Sequence, residues 1–392
     1  MTLPLGYRYG SVYAGIRKTP KDDLSMIVSE TPASAAALFT RNLVAAAPVK
    51  LGRKHLAASR GKVRAIVINA GNANCATRTG DKVALETARA VARYGHWPVN
   101  QVIPCSTGVI GVELDPRLIV AALPDLFQSL DAQAFPQVAH AIMTTDLVPK
   151  AAYGDVPLRD GHVRIAGLTK GSGMIHPNMA TTLAFVVTDA AISPAHLKPM
   201  LKAAAGRSFN RLSVDGDTST NDTVVLLANG ASGVAPNEKE RKVVAEVLAW
   251  VMEDLAEQIA RDGEGATKCV TIRVTGAPGA ADAEKIARAI GNSSLVKTAI
   301  AGNDPNWGRI LSSAGASGAR FDPGKASIFL QGVKVCERGL AVEFSEPEMK
   351  RLLARRDVSI RFSIEGSGKG ATQFWTCDFT EGYIRINASY RT

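Results

Sequence analysis

Between Lys170 and Leu183 the sequence reads KGSGMIHPNMATTL, which sets a hydroxyl nucleophile, Thr181, directly after the small residue Ala180 in a loop marked by glycine and proline. The run that follows, residues 183–189 (LAFVVTD), is short, apolar and rich in β-branched and aromatic residues, and it reads as a buried strand. This arrangement permits self-cleavage. The Thr181 hydroxyl attacks the carbonyl of Ala180, the acyl group moves from nitrogen to oxygen, and water releases the ester, leaving Thr181 as a new N-terminus. Its α-amine, with an ordinary pKa of roughly 7.7 to 8, can then take the proton from its own hydroxyl, the threonine form of an activated nucleophile. β-Branching restricts χ1 and aims the oxygen before substrate arrives. Two other readings share these residues: a turn entering a core strand with two ordinary threonines, the commoner use of such residue types, and attack by Thr182 instead of Thr181.

A nucleophile of this kind needs donors for the oxyanion it creates. Residues 106–111 (STGVIG) suit that task, because Gly108 lets a backbone amide approach a ligand closely and Thr107 adds a hydroxyl. The competing reading is a plain turn after a strand around Val102 and Ile103. Lys170 carries a point positive charge suited to a carboxylate. Glu264, between two glycines past a long helical pattern, is either an ammonium partner or a solvated helix-end carboxylate.

Residues 170–184 (KGSGMIHPNMATTLA) resemble the self-cleavage motif of the ornithine acetyltransferase family, the glutamate N-acetyltransferases of cyclic arginine biosynthesis. The same resemblance runs through residues 69–75 (NAGNANC), 106–111 (STGVIG), 143–146 (MTTD), 214–223 (VDGDTSTNDT), 263–268 (GEGATK) and 302–311 (GNDPNWGRIL), nearly the whole chain in order. It implies a layered αββα fold of the N-terminal-threonine hydrolase type with a smaller C-terminal α/β lobe from about residue 279 to 392. Cleavage between Ala180 and Thr181 would give an alpha chain of residues 1–180 and a beta chain of residues 181–392. The implied reaction moves acetyl from N-acetylornithine to glutamate through an ester on Thr181, with Thr107 and Gly108 as the oxyanion hole. The implied substrate site holds Thr144, Lys170, Thr181, Glu264, Asn387 and the last residue, Thr392, with Thr145 as the alternative to Thr144. Two copies of each chain would form a heterotetramer in the cytoplasm. No cofactor is implied, although acetyl-coenzyme A could serve as a second donor, a point on which family members differ.

The rival enzyme is an amidohydrolase or aminopeptidase with the same self-made threonine that passes the acyl group to water. A non-enzymatic rival is a basic binding protein whose threonine loop is structural. The chain departs from the family pattern at Thr182, where a larger apolar residue is common, and at residues 75–80 (CATRTG), where the loop is usually more compact.

The elements that must position these residues mix helical and strand periodicities. Apolar spacing predicts helices over 82–93, 116–130, 132–143, 194–205, 239–261 and 281–290. Strands are predicted over 64–69, 183–189, 223–228, 270–274, 326–330, 358–364 and 383–387. Strands do not alternate strictly with single helices, which favours layered α+β lobes over a doubly wound parallel sheet.

Composition sets further bounds. A chain of 392 residues that is 46% hydrophobic can bury a large core, and it contains no apolar run of the roughly 20 residues needed to span a bilayer. The first 18 residues lack the uninterrupted apolar stretch of a secretory signal, so a cytosolic enzyme is expected. The net charge of +10 invites a nucleic-acid reading, but bases and acids are interleaved, as in residues 237–242 (NEKERK), with no aromatic-spaced basic stripe. A positive field suits dicarboxylates such as glutamate. Five dispersed cysteines, Cys75, Cys105, Cys269, Cys336 and Cys377, read as reduced core thiols, and the six dispersed histidines indicate no metal site. Residues 366–370 (GSGKG) lack the pattern of a phosphate loop and read as a hairpin loop. Asp215, Asp217 and Asp222 fail the calcium-loop spacing and read as loop residues supporting the site. Residues 303–309 (NDPNWGR) read as a tight turn or a further support.

Overall fold

The computed structural model describes residues 2–176, 182–366 and 368–389. The expected scissile pair, Ala180 and Thr181, and the terminal Thr392 lie outside the described residues. The first part of the chain forms β1 (Tyr7–Val12), β2 (Leu24–Phe39), α1 (Ala47–Ala58), β3 (Lys62–Asn69), α2 (Gly80–Tyr94), β4 (Val102–Ser106), α3 (Pro116–Gln128), α4 (Phe135–Ala141), β5 (Lys150–Leu158) and β6 (Gly161–Lys170). It continues with β7 (Leu183–Thr188), α5 (Pro194–Arg207), β8 (Thr223–Ala228) and α6 (Glu238–Arg261). Helix α6 begins in a capping box in which Asn237 accepts from the Glu240 amide and the Glu240 carboxylate accepts from the Asn237 amide, satisfying orphan donors at both positions.

These strands run in the order β4-β3-β2-β8-β7-β6-β5, with β1 added beside β2. The 16-residue β2 joins two layers: its first half pairs with β1 and β3, its last six residues pair with β8, and the register against β3 shifts between Val28 and Ala33. Pro32 sits within that shift, where a missing amide costs the ladder nothing. Alternate side chains sort into separate cores. Leu183, Phe185 and Val187 of β7 share a core with Ile66 and Ile68 of β3 and Ile103 of β4, whereas Ala184 and Val186 pack with Leu197 and Leu201 of α5 and Val251 and Leu255 of α6. On the opposite side Ala65 and Val67 of β3 meet Val83 and Val91 of α2 and Ile119 and Leu123 of α3. The layers are therefore helix, strand, strand, helix, the α+β architecture that the sequence led us to expect. Each fully buried aliphatic or aromatic side chain contributes about 1.5–3 kcal/mol, so these three cores together are the main source of stability.

The remaining chain forms β9 (Cys269–Ala277), α7 (Ala280–Asn292), α8 (Ser294–Ala301), α9 (Trp307–Gly315), β10 (Ala326–Leu330), β11 (Val333–Glu337), β12 (Leu340–Ala341), α10 (Glu346–Leu353), β13 (Asp357–Ile364), β14 (Gly370–Cys377) and α11 (Glu381–Ser389). Its sheet runs β12-β11-β10-β13-β9-β14 and has its own core, including Ile286 of α7, Ile310 of α9 and Leu353 of α10. Cys269, Trp375 and Cys377, at the base of β9 and β14, belong instead to the core around α6, which ties the two sheets together.

Two expectations are corrected. Residues 383–387 lie in helix α11, not in a strand. Their alternation of Ile384 and Ile386 mimics period two, but no residue of α11 is buried, so no sheet face claims those side chains. The 366–370 segment is not a hairpin loop, because β13 and β14 flank β9 from opposite sides and do not pair with each other. Its glycines allow it to cross the end of β9: a Cβ on Gly368 would stand 2.5 Å from the Ala277 carbonyl oxygen. Among the described residues no helix is long and apolar enough to cross a membrane, and no cluster of potential metal ligands occurs. All five cysteines are buried and unpaired, and burial pushes the Cys105 thiol up.

Candidate active site

The C-terminal end of β4, the end of β6, the start of β7 and the loop before β8 converge on one cleft of about 240 Å³. Thr107, Gly108, Thr144, Thr145, Lys170, Glu264 and Asn387 all line it, as do Thr182, Asp215, Asp217 and Asp222. Strand pairing explains the convergence. The antiparallel pair β6 and β7 sets Lys170 opposite Leu183, and the parallel pair β7 and β8 sets Leu183 opposite Thr223.

Gly108 occupies a position only glycine fills without strain. Its φ is +132°, and a Cβ would stand 2.6 Å from the Gly71 carbonyl carbon and 2.7 Å from the Asn72 nitrogen. The Thr107 amide donates to the Asn69 carbonyl at 2.8 Å, so the hydroxyl is what the Thr107 side chain can offer to a ligand. The Lys170 ammonium donates to that hydroxyl oxygen at 3.4 Å. An ammonium only donates, so the hydroxyl accepts from it and keeps its own proton for another acceptor. Asn69, from the NAGNANC segment, braces the neighbouring turn: its Oδ1 accepts from the Gly71 and Asn72 amides, and its Nδ2 donates to the Asn72 carbonyl and to Ser106 Oγ.

A buried charge network underlies Lys170. The Lys150 ammonium, with no exposed surface, bridges Asp146 at 2.7 Å and Asp262 at 2.6 Å. Asp146 also accepts from the Gly171 amide at 2.7 Å and the Thr144 amide at 3.0 Å, which fixes the MTTD loop against the start of the self-cleavage motif. Burial pushes the Asp146 carboxyl up, but the charges of Lys170 and Lys150 outweigh it and hold it at about 2. Burial pulls the Lys170 ammonium down, against the opposing pull of Asp146. Burial also pushes the Asp222 carboxyl well up, and its Oδ2 has no hydrogen-bond partner among the described residues.

Opposite Lys170 the Glu264 carboxylate accepts from Asn387 Nδ2 at 2.8 Å. Two glycines around Glu264 are steric requirements: a Cβ on Gly265, its neighbour in sequence, would collide with the backbone of Gly382 and Tyr383 at the start of α11, and one on Gly173 of the KGSG segment would collide with the Glu264 carboxylate itself. Asp215 accepts from the Met174 amide at 2.6 Å, the Ile175 amide at 2.9 Å and the Tyr383 hydroxyl at 3.3 Å. It thereby pins the segment upstream of the expected cut to both the VDGDTSTNDT loop and the C-terminal helix. Asp215 is thus a support of the site, whereas Asp217 lines the cleft with its amide donating to Asp215 and its carboxyl pushed up by partial burial and by Asp215.

The two threonine alternatives differ in how their hydroxyls are engaged. Thr145 Oγ1 lies 2.8 Å from Ser172 Oγ, and Thr182 Oγ1 lies 2.8 Å from Thr169 Oγ1 and donates to the Lys170 carbonyl. Thr182 is thereby held as part of the ladder, with its carbonyl accepting from the Thr223 amide at 2.9 Å. Sequence reasoning missed Lys150, Asp262, Ser172 and Tyr383. A lone lysine or tyrosine carries no local signal; only Ser172, inside the KGSG segment, stood within a stretch already singled out.

The ArgJ family model matches residues 8–392. The arginine biosynthesis bifunctional protein ArgJ of Chlorobaculum tepidum is 45% identical over 391 residues, covering 99% of this chain and 96% of that protein. The protein of the same description from Thermus thermophilus is 45% identical over 394 residues, covering 100% and 99% respectively. Among solved structures, that of the arginine biosynthesis bifunctional protein ArgJ from Bacillus halodurans is similar at 42% identity and a TM-score of 0.51, covering 53% of this chain and 98% of that one.

Proposed function

This chain belongs to the ArgJ family, and from that premise we propose that it transfers acetyl from N2-acetyl-L-ornithine to L-glutamate after cutting itself between Ala180 and Thr181. The Thr181 hydroxyl attacks the acetyl carbonyl and its proton passes to the Thr181 α-amine. The tetrahedral oxyanion is met by the Gly108 amide and the Thr107 hydroxyl, a kind of contact whose loss costs about 10²- to 10³-fold in turnover. The carbon–nitrogen bond breaks, the leaving amine takes the proton, and ornithine departs from an acetyl ester. The amine of glutamate then attacks that ester, its proton passes through the Thr181 α-amine to Thr181 Oγ as the bond to that oxygen breaks, and N-acetylglutamate leaves the restored hydroxyl. Lys170 receives an α-carboxylate, Glu264 with Asn387 receives the side-chain ammonium of ornithine, and Thr144 and Thr392 complete the substrate site.

The observation that carries this reading is that Thr107, Gly108, Thr144, Lys170, Glu264 and Asn387, far apart in sequence, line one cleft whose wall includes Thr182, the residue after Thr181. The decisive experiment follows ornithine release from N-acetylornithine with and without glutamate, alongside a denaturing gel. Release should depend on glutamate with ping-pong kinetics, and Thr181→Ala should give one uncut, inactive band. Equal release without glutamate would assign the hydrolase instead, and an intact, active parent chain would rule out the self-made nucleophile. The proposal extends to acetyl-coenzyme A as a second donor, to assembly as two copies of each piece, and to a cytoplasmic location.

A further inference from the structure

The oxyanion loop and the nucleophile strand are separate pieces of backbone, yet one three-residue segment grips both. Asn221 is buried, and its Nδ2 donates to the Ser106 carbonyl at 2.8 Å and to the Ala73 carbonyl at 2.6 Å. Two residues later the Thr223 amide donates to the Thr182 carbonyl at 2.9 Å, and Thr223 Oγ1 donates back to the Asn221 carbonyl at 3.0 Å. The Ser106–Thr107 peptide is thus held at both ends, its carbonyl by Asn221 and its amide by Asn69. The second Asn221 contact holds the loop against which Gly108 packs: Ala73 donates its amide to the Val109 carbonyl at 3.0 Å. Thr220 Oγ1 donates to Asn221 Oδ1 at 2.7 Å, which fixes the amide so that both of its protons face carbonyls.

We propose that Asn221 is a positioning residue that sets the Thr107–Gly108 loop in register with the strand carrying the nucleophile. This rests on the acetyl-transfer reading above. Asn221 stands at the cleft wall, but its Nδ2 is engaged by the Ala73 and Ser106 carbonyls and its Oδ1 by Thr220 Oγ1, so it acts through the peptide it holds. A side-chain amide is required because the task is to donate twice. An aspartate is acceptor-only when ionised, and it would set its charge against two carbonyl oxygens. Misplacement of donors by a fraction of an ångström affects the transition state more than ground-state binding, because the oxyanion exists only there.

The test compares parent, Asn221→Ala and Asn221→Asp after self-cleavage, measuring kcat and the KM for both substrates. The expected result is a fall in kcat of about 10²-fold, with KM values changed little. Thr107→Ala supplies the background for a double-mutant comparison: the Asn221→Ala loss should shrink there, because the donor it positions is already gone. If Asn221→Ala does not fold or does not cut, Thr220→Val, which removes only the hydroxyl orienting the amide, should lower kcat in the same direction by a smaller factor. An unchanged kcat in these variants, a loss confined to KM, or full additivity with Thr107→Ala overturns the proposal. A parent chain without glutamate-dependent transfer fails the functional reading itself and the proposal with it, whereas an active parent with unaffected variants fails the proposal alone.

Discussion

Lys150 has no exposed surface and neutralises two buried carboxylates, Asp146 and Asp262, from different parts of the chain. Removing a buried charge that others depend on costs more than the pair contributed, because the partners stay buried without compensation. Lys150→Met should therefore destabilise the protein by about 3–5 kcal/mol in chemical denaturation. It should also alter the acid limb. The folded carboxyl of Asp146 sits at about 2, below its ordinary value, so its stabilising contribution is present above roughly 3.9 and is lost as pH falls through about 2. Without Lys150 that depression diminishes, and the midpoint of acid unfolding should move to higher pH. An acid midpoint equal to the parent's would show that Lys150 is not what holds Asp146 ionised. Nothing local in the sequence marks Lys150. Asp146 was visible as part of MTTD, but its partners come from the start of β5 and the end of α6, which only folding brings together.

Among the elements, α11 shows most clearly what could be read from the chain and what could not. Long amphipathic stretches such as α2 and α6 were legible because one apolar face repeats over several turns, and β7 and β8 because continuous β-branched runs fit a doubly covered strand. β2 was missed because alanines and Pro32 disguise it, and α11 was misread because nine residues with no buried side chain give no periodicity to follow. What holds α11 is polar and steric: Asn387 to Glu264, Tyr383 to Asp215, and the close seat of Gly382 on Gly265. Gly265 has φ +67° and no space for a methyl group. Gly265→Ala should lift α11 off its seat and take the Asn387 amide away from Glu264. A hydrogen bond to a charged group is worth about 1.5–3 kcal/mol, so kcat/KM for N-acetylornithine should fall roughly 10- to 100-fold. Glutamate-dependent deacetylation of a pre-formed acetyl-enzyme should change far less. Equal losses in both half-reactions would mean that α11 serves the whole site and not the ornithine end of it.

At the scale of the molecule, the expected cut falls between two strands that remain neighbours. β6 precedes it and β7 follows it, yet they pair from Ile165 with Thr188 to Lys170 with Leu183, and β8 pairs with β2 on the far side. In the order β4-β3-β2-β8-β7-β6-β5, the two central strands β8 and β7 come from residues after the cut and are bounded on both sides by strands from before it. The central core is shared in the same way, with Phe185 and Leu227 packed among Ile66, Ile103 and Leu168. Separating the pieces would therefore break two strand interfaces and open the core, a loss comparable to unfolding itself, since cores of this kind are the dominant stabilising term. We expect the cut protein to elute from a sizing column as a single species containing both pieces, to unfold without prior loss of either piece, and to separate only in denaturant. Residues 1–180 expressed alone should be insoluble or aggregate, because β2 and β6 would each present an unpaired edge where β8 and β7 belong. A soluble, folded 1–180 piece, or release of a piece in native buffer, would show that the covalent connection and not the interleaved sheet holds the molecule together.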